Sequence, residues 1–423
     1  MLLLSYLRES RQQAIEGLRK RNLKDAEGMV SEVIRLDDER KQTQTQLDKI
    51  KADINTRSRE IGELMKSKQN DQANRLREEV AGWKTEVKTL EDKLALLESD
   101  LRISLYKIPN VPAASVPAGK SAEDNIVAYQ HGAIPVLPEG SLPHWELIKK
   151  YDIIDFDLGV KISGAGFPVY KGKGAKLQRA LINFFLDEAA KAGYAEVMPP
   201  IVVNEASGYG TGQLPDKEGQ MYFIPQDGLY LIPTAEVPIT NLYRDVIVTE
   251  AELPVKNVGY TPCFRREAGS WGAHVRGLNR LHQFDKVEIV QITRPEDSYR
   301  VLDEMCAHVQ GLLEKLELPY RKLLLCGGDM GFNSAQTFDM EVFSAAQQRW
   351  LEVSSVSNFE TYQANRLKLR YKSGEGKTQL LHTLNGSALA LPRIVAALLE
   401  NNQSPAGIRI PPVLVPYTGF DKI

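Results

Sequence analysis

The 423-residue sequence contains only three cysteines, Cys263, Cys306 and Cys326, and no CxxC spacing. Their scarcity excludes a disulfide framework and a zinc ribbon, and points to a reducing cytoplasm. No run of about 18 uninterrupted apolar residues is available to cross a bilayer. The opening Met1-Leu2-Leu3-Leu4-Ser5-Tyr6-Leu7-Arg8 is too short and too soon charged for a secretory signal. An excess of one charge is also lacking: 53 Lys+Arg stand against 55 Asp+Glu, a net charge of -2. That excludes a globally basic nucleic-acid coat and leaves room for a local basic face. The usual nucleotide loops are missing. There is no GxxxxGK[ST] and no GxGxxG after a strand, and the nearest approach, Gly376-Lys377-Thr378, has Tyr371 where the leading glycine is needed. HExxH, GxSxG and zinc-spaced Cys/His clusters are absent as well, so if the chain is an enzyme its chemistry rests on charged side chains that hold ions rather than on a side-chain nucleophile.

One further absence divides the chain. All 22 prolines lie at Pro109 or later, so the first quarter is free to form long unbroken helices. Stepping by fours and threes from Met29 to Leu64 passes Met29, Val33, Leu36, Arg40, Thr43, Leu47, Ile50, Ile54, Arg57, Ile61 and Leu64, of which eight are apolar. A second series, Ala73, Leu76, Val80, Trp83, Val87, Leu90, Leu94, Leu97 and Leu101, is apolar throughout. Heptads sustained in this way predict a coiled coil, and the polar break Lys66-Ser67-Lys68-Gln69-Asn70-Asp71 between them suits the tip of an antiparallel helical hairpin; a dimerisation coiled coil or a spacer is the alternative that the heptads alone leave open. Residues 26–100 hold 14 Lys+Arg and 17 Asp+Glu, so most of these charges form a solvated face. The distal Arg57, Arg59, Lys66, Lys68, Arg75 and Arg77 remain available to a polyanion. The pattern thus divides into an N-terminal domain over 1–108, a linker over 109–124 punctuated by Pro109, Pro112, Pro117 and Gly119, and a body over 125–423.

In the body, short β-like runs (228–232, 287–292 and 350–353) mix with helical stretches (177–192, 295–318 and 387–401) without a regular βαβ alternation. This predicts an α+β fold around a largely antiparallel sheet, with the coiled-coil arm attached. The densest polar segment runs Cys263-Phe264-Arg265-Arg266-Glu267-Ala268-Gly269, then Arg276-Gly277-Leu278, then Leu281-His282-Gln283-Phe284-Asp285-Lys286-Val287-Glu288. It reads as a strand, a glycine-loosened loop and a return strand, with arginines able to grip phosphate or carboxylate oxygens bidentately. A surface hairpin laced with salt bridges is the alternative that the segment alone leaves open.

FRREAG followed by RGLNRLHQFDKVE closely resembles motif 2 of the class II aminoacyl-tRNA synthetases, in the form seen in the seryl-tRNA synthetase family. Tyr230-Leu231-Ile232-Pro233-Thr234-Ala235-Glu236 resembles that family's serine-binding TxE loop. Glu352-Val353-Ser354-Ser355-Val356-Ser357-Asn358 with Thr383-Leu384-Asn385-Gly386-Ser387 through Arg393 resembles motif 3 and the strand before it, and the segment from Gly174 to Pro200 resembles motif 1. The helical arm belongs to the same pattern, so the resemblance spans the chain.

The resemblance implies a class II sheet and an ATP-dependent serine–tRNA ligase, acting on tRNA(Ser) and also on tRNA(Sec), in a cytoplasmic homodimer joined through motif 1. Arg265, Glu267 and Arg393 are its implied catalytic residues. It implies serine contacts from Thr234, Ala235, Glu236, Arg265, Glu288, Asn385 and Ser387, and leaves open which of Glu236 and Glu288 meets the ammonium. For ATP it implies Arg265, Arg266, Glu267, Leu281, Phe284, Glu352, Val353, Ser354, Ser355 and Arg393, with Phe284 and Arg393 stacking on the two faces of adenine, and Glu352 and Ser355 holding Mg2+. The chain departs from the family pattern at His274-Val275, where Asp-Thr is usual, and at Ala388 and Pro392, where glycines are common. A synthetase-like protein without catalysis and a ligase that charges a carrier protein are the competing readings; the retained motif residues disfavour the first and the arm disfavours the second.

Overall fold

A computed structural model of the chain describes residues 1–216, 219–267, 275–374 and 376–423. Two units can be distinguished, one built from residues 2–19 and 23–109, the other from Met1, 20–22 and 110–423.

The first unit is dominated by two helices, α1 (Ala26–Lys66) and α2 (Asn70–Lys107), of 41 and 38 residues. At about 1.5 Å per residue each extends roughly 60 Å. Asp25 caps α1 by accepting from the Gly28 N–H at 3.1 Å, and the helix stops at the polar break seen in the sequence. Along the seam Val33, Leu36, Leu47, Ala73, Val80 and Leu97 are buried, while Ile50, Ile54, Ile61 and Leu64 are half-buried, as two helices packed only on each other allow. A cross-helix pair, Lys51 Nζ to Glu91 Oε1 at 2.7 Å, flanks the seam. Arg35, Arg40 and Lys41 are engaged by acidic neighbours. Among the described residues the exposed distal cations Arg59, Lys66, Lys68, Arg75 and Arg77 make no ion pair.

The second unit is built on an eight-stranded sheet. Its strands are β1 (Ile126–His131), β2 (Ala195–Glu196), β3 (Val255–Phe264), β4 (Gln283–Thr293), β5 (Tyr320–Leu324), β6 (Gln336–Ser344), β7 (Arg349–Asn358) and β8 (His382–Ala390). Their spatial order is β1-β5-β6-β7-β8-β4-β3-β2, antiparallel apart from the short parallel pair β2 with β3. Alternation along β4 sets the two faces. Val287 and Ile289 enter the main core, together with side chains of three helices, α4 (Gly172–Lys191), α7 (Ser298–Lys315) and α9 (Leu391–Asn401). Glu288 and Val290 point to the opposite face, where Val290 packs on Ala235 and Ile239. That second face carries α6 (Glu236–Asn241) and α8 (Thr361–Leu367); α3 (His144–Lys150) and α5 (Glu205–Thr211) complete the helices used below.

The helix expected over 387–401 begins only at Leu391. Ser387 to Ala390 stay in β8 because they pair with β4, and Pro392 in the first turn marks the helix start, where a missing N–H costs nothing. Ala388 and Pro392, the departures from the family pattern, therefore lie in a strand and a helix rather than in a loop, and His274 lies outside the described residues. Among the described residues no helix is long and apolar enough to cross a membrane.

Candidate active site

Strand β4 supplies the floor. Lys286 and Glu288, two residues apart, share a face, and Lys286 Nζ lies 2.5 Å from Glu288 Oε2. The same ammonium donates to Thr234 Oγ1 at 2.8 Å, and the Thr234 hydroxyl reaches Glu288 Oε2 at 3.4 Å. All three side chains are buried. Thr234 Oγ1 also accepts from the Glu236 N–H at 3.2 Å, which fixes the start of α6. The helix can lie this low because Gly259 pairs directly with Glu288 on β3; a Cβ there would come within 2.8 Å of Ile239 and 2.9 Å of the Val197 carbonyl.

Glu236 is thereby lowered onto the same face as Glu288. Its Oε1 accepts from Gln363 Nε2 at 2.6 Å, and Thr383 fixes the Gln363 amide by donating to Gln363 Oε1 at 2.7 Å. Burial, reinforced by the charge of Glu288, pushes the Glu236 carboxyl up to about 7. Glu288 has a cation and Glu236 has only neutral donors. The Asn385 amide, on β8, lies near enough to Glu236 to favour its charge, yet its buried Nδ2 closes no hydrogen bond. Ser387, directly opposite Glu288, completes the rim. With both acids ionised the cluster carries one negative charge in excess, matched to a small ligand bearing an ammonium group.

Beside this pocket lies Arg265, anchored by its Nε donating to the Pro233 carbonyl at 3.3 Å and stacked with its guanidinium 5.2 Å from the centre of the Phe284 ring. Arg266 lies over Tyr222 at 5.9 Å. Glu267 is held at φ +47°, and its carboxylate accepts from Arg280. Leu281 and Val353 belong to the core, and Ala235 is buried with Ile239 and Val290. Ser354 donates to the Ser387 carbonyl at 2.5 Å. On α9, Arg393 donates through Nε to the Asn279 carbonyl at 3.1 Å and through Nη1 to the Glu352 carbonyl at 2.7 Å.

Glu352 and Ser355 are three residues apart, which on a regular strand would place them on opposite faces. A β-bulge intervenes: Ser355 pairs with Asp339, Ser354 with Met340, and Glu352 with Glu341, leaving Val353 extra. The bulge restores both side chains to one face. Opposite Ser355, the buried Oδ1 of Asp339 makes no hydrogen bond, and burial followed by the charge of Glu352 raises its carboxyl well above the usual range. These are hard oxygen donors of the kind magnesium takes. Among the described residues no three acidic, His or Cys side chains converge closely enough to hold a metal alone, so phosphate oxygens and water would have to complete its shell.

Of the residues that the resemblance implied for serine, Thr234, Glu236, Glu288, Asn385 and Ser387 lie together, Arg265 lies beside them, and Ala235 is buried with Ile239 and Val290. Lys286 and Gln363 were missed. Lys286 was legible in the Lys-x-Glu spacing of β4; Gln363, 127 residues from Glu236, had no local signal.

Family models match at both ends of the chain. Residues 1–112 match the seryl-tRNA synthetase N-terminal domain, and residues 222–402 match the tRNA synthetase class II core domain (G, H, P, S and T). The serine–tRNA ligase of Salinibacter ruber is 47% identical over 425 residues, covering 100% of this chain and 99% of that protein. The crystal structure of seryl-tRNA synthetase from Pyrococcus horikoshii complexed with ATP superposes with a TM-score of 0.93 at 31% identity, over 100% of this chain and 99% of that one. The cytoplasmic serine-tRNA ligase from Naegleria fowleri in complex with AMP superposes with a TM-score of 0.87 at 27% identity, over 100% and 98% of the two chains.

Proposed function

The chain belongs to the seryl-tRNA synthetase family, and from that premise we propose that it activates L-serine with ATP and passes the seryl group to tRNA(Ser), and also to tRNA(Sec). The observation that carries the proposal is the buried Thr234, Glu236, Lys286 and Glu288 cluster beside Arg265, which offers one uncompensated negative charge to an ammonium and a guanidinium to a carboxylate.

Serine would lie with its ammonium toward Glu236 and its hydroxyl among Thr234, Glu288 and Ser387. A buried site built to hydrogen-bond a hydroxyl rejects the analogue that lacks it, so alanine should be a very poor substrate. Arg265 would hold the serine carboxylate against the α-phosphate. One carboxylate oxygen forms a bond to that phosphorus while the bond to the pyrophosphate oxygen breaks, giving seryl-adenylate and pyrophosphate. The guanidinium neutralises charge that grows at the α-phosphate during this step. The 3′-terminal ribose hydroxyl of the tRNA then attacks the acyl carbon and AMP leaves. Glu267 would release Arg280 to accept from the adenine amino group, and Arg393 and Phe284 would flank the ring, with the Arg265 guanidinium drawn off Phe284 toward phosphate. Magnesium, held by Glu352 and Ser355, would supply charge neutralisation on the phosphates.

The arm fits tRNA as partner, since among the described residues the exposed Arg59, Lys66, Lys68, Arg75 and Arg77, which make no ion pair, flank its tip. A homodimer is supported by apolar side chains left in water: the edge strand β1 exposes Ile126, Val127 and Tyr129, and Val136 and Met198 are 97% and 87% exposed. The charge balance and cysteine usage fit a cytoplasmic enzyme. Measuring pyrophosphate exchange with each amino acid tests the proposal. Exchange with serine is expected, and exchange with another amino acid in place of serine would refute it.

A further inference from the structure

We propose that the first turn of α3, locked by the buried carboxylate of Glu400, is the anchor that fixes residues 276–279 for nucleotide binding, with His144 as its positioning residue. The inference rests on the ATP-site reading above.

Three consecutive residues of α3 grip the consecutive residues Arg276, Gly277 and Leu278. The Leu278 N–H donates to His144 Nε2 at 2.9 Å, the Arg276 guanidinium lies 4.9 Å from the centre of the Trp145 ring, and Arg276 Nη2 donates to Glu146 Oε1 at 3.2 Å. The middle residue has to be glycine: it sits at φ +65°, and a Cβ would come within 2.4 Å of His144 Nε2.

Because Nε2 accepts, the imidazole proton is on Nδ1, which faces Glu400 Oε1 at 2.7 Å. Both side chains are fully buried. A buried carboxylate is costly unless its lone pairs are filled. Glu400 accepts from the His144 backbone N–H at 2.9 Å, from His144 Nδ1, from Gln347 Nε2 at 2.9 Å and from the Ser344 hydroxyl. Burial pushes its carboxyl up, and the donors from His144 and Ser344 more than offset this, holding it below the ordinary range. The carboxylate is thus a fixed acceptor that dictates which imidazole nitrogen is left to receive Leu278.

A second branch leaves the same carboxylate. Gln347, oriented by donating to Glu400, uses Oε1 to accept from Asn279 Nδ2 at 2.9 Å, and the Asn279 carbonyl accepts from Arg393 Nε at 3.1 Å. Arg393 lies on α9 with Glu400, so that helix holds the arginine directly and also places its acceptor. One branch ends on Leu278, three residues before Leu281 of the ATP-site reading, the other ends on Arg393 of that reading, and neither passes through Thr234, Glu236 or Glu288.

Asparagine and glutamine separate the two jobs of His144. The amide nitrogen of Asn can take the place of Nδ1, keeping the link to Glu400 and losing the acceptor for Leu278. The amide oxygen of Gln can take the place of Nε2, keeping Leu278. In serine-dependent pyrophosphate exchange, His144→Asn should raise the ATP KM by about 10- to 100-fold with serine KM within about twofold. His144→Gln should keep the ATP KM within about threefold of the unaltered protein. Equal ATP effects from the two variants, or a serine KM that rises in step, would overturn the inference. Asn279→Ala, which cuts the second branch without touching the buried pair, should raise ATP KM by about 5- to 20-fold; an unmoved ATP KM would also overturn it. An unaltered protein with no serine-dependent exchange would instead strike the functional reading.

Discussion

Asp37 in the arm and Glu236 in the sheet unit are both buried carboxylates, and the molecule treats them in opposite ways. Asp37 is surrounded by Arg8, Arg40 and Lys41 at 2.6, 2.9 and 2.9 Å. Burial pushes its carboxyl up, but the donors from Lys41, Arg40 and Arg8 win and hold it at about 2. Glu236 receives a neutral amide at 2.6 Å and faces a second acid, so it is pushed up to about 7. A carboxylate that only has to hold helices together is fully matched by its own chain. The one proposed to receive the serine ammonium is left unmatched, and the molecule gives up stability there.

The sharpest way to break this contrast is to remove the ammonium that is paired with Glu288. Lys286→Met leaves Glu236 and Glu288 buried together, forcing a proton onto one of them. With the ammonium that orients Thr234 and Glu288 gone, kcat/KM for serine should fall by about 10²–10³ while ATP KM holds. A parallel rise in ATP KM would show that Lys286 supports the whole site rather than the serine pocket.

The next effect is a pH dependence. Below pH 7 Glu236 takes up a proton in the free protein, and an ammonium ligand requires it ionised, so binding releases that proton. Serine KM should therefore rise toward tenfold per pH unit as pH falls from about 7 to 5. A flat profile would mean that Glu236 does not meet the ammonium.

The smallest effects are on stability, and they should have opposite signs. Asp37 has a depressed folded pKa, so its contribution is present above pH ~4 and lost as pH falls toward ~2; Asp37→Asn should cost about 1–2 kcal/mol at neutral pH. Glu236 has a raised folded pKa, so the folded protein holds the extra proton and stability falls as pH rises from ~4.5 through ~7; Glu236→Gln should stabilise the unliganded protein at pH 8 by about 1–3 kcal/mol. Thermal denaturation of the two variants checks both signs, and shifts of the same sign would remove the contrast.

The two units also differ in how much of them the sequence disclosed. The arm was legible because a heptad is a local rule: the seam, the tip and both helices follow from residues three or four apart. Even there Asp37 escaped notice, since it lies off the seam and Arg8 comes from 29 residues away. In the sheet unit the two strands of the motif 2 segment were visible, while the glycine-loosened loop between them, 268–274, lies outside the described residues. Bulges were not. Regular alternation puts Glu352 and Ser355 on opposite faces, and only the extra Val353 unites them. The same holds for Ser387 to Ala390, whose Ala and Leu side chains suit a helix until β4 claims them. Gln363 and the group formed by His144, Gln347 and Glu400 act across more than 50 residues of chain separation, where no spacing rule reaches.

The central claim is that the sheet unit activates serine and the arm selects the tRNA. Replacing residues 29–101 by a short turn and measuring both half-reactions on one preparation tests it most directly. Serine-dependent pyrophosphate exchange should remain within about threefold of the full chain, and tRNA(Ser) charging should fall by more than about 10³ as the phosphate contacts of the arm are lost. Charging that survives within tenfold of the full chain would contradict the role given to the arm.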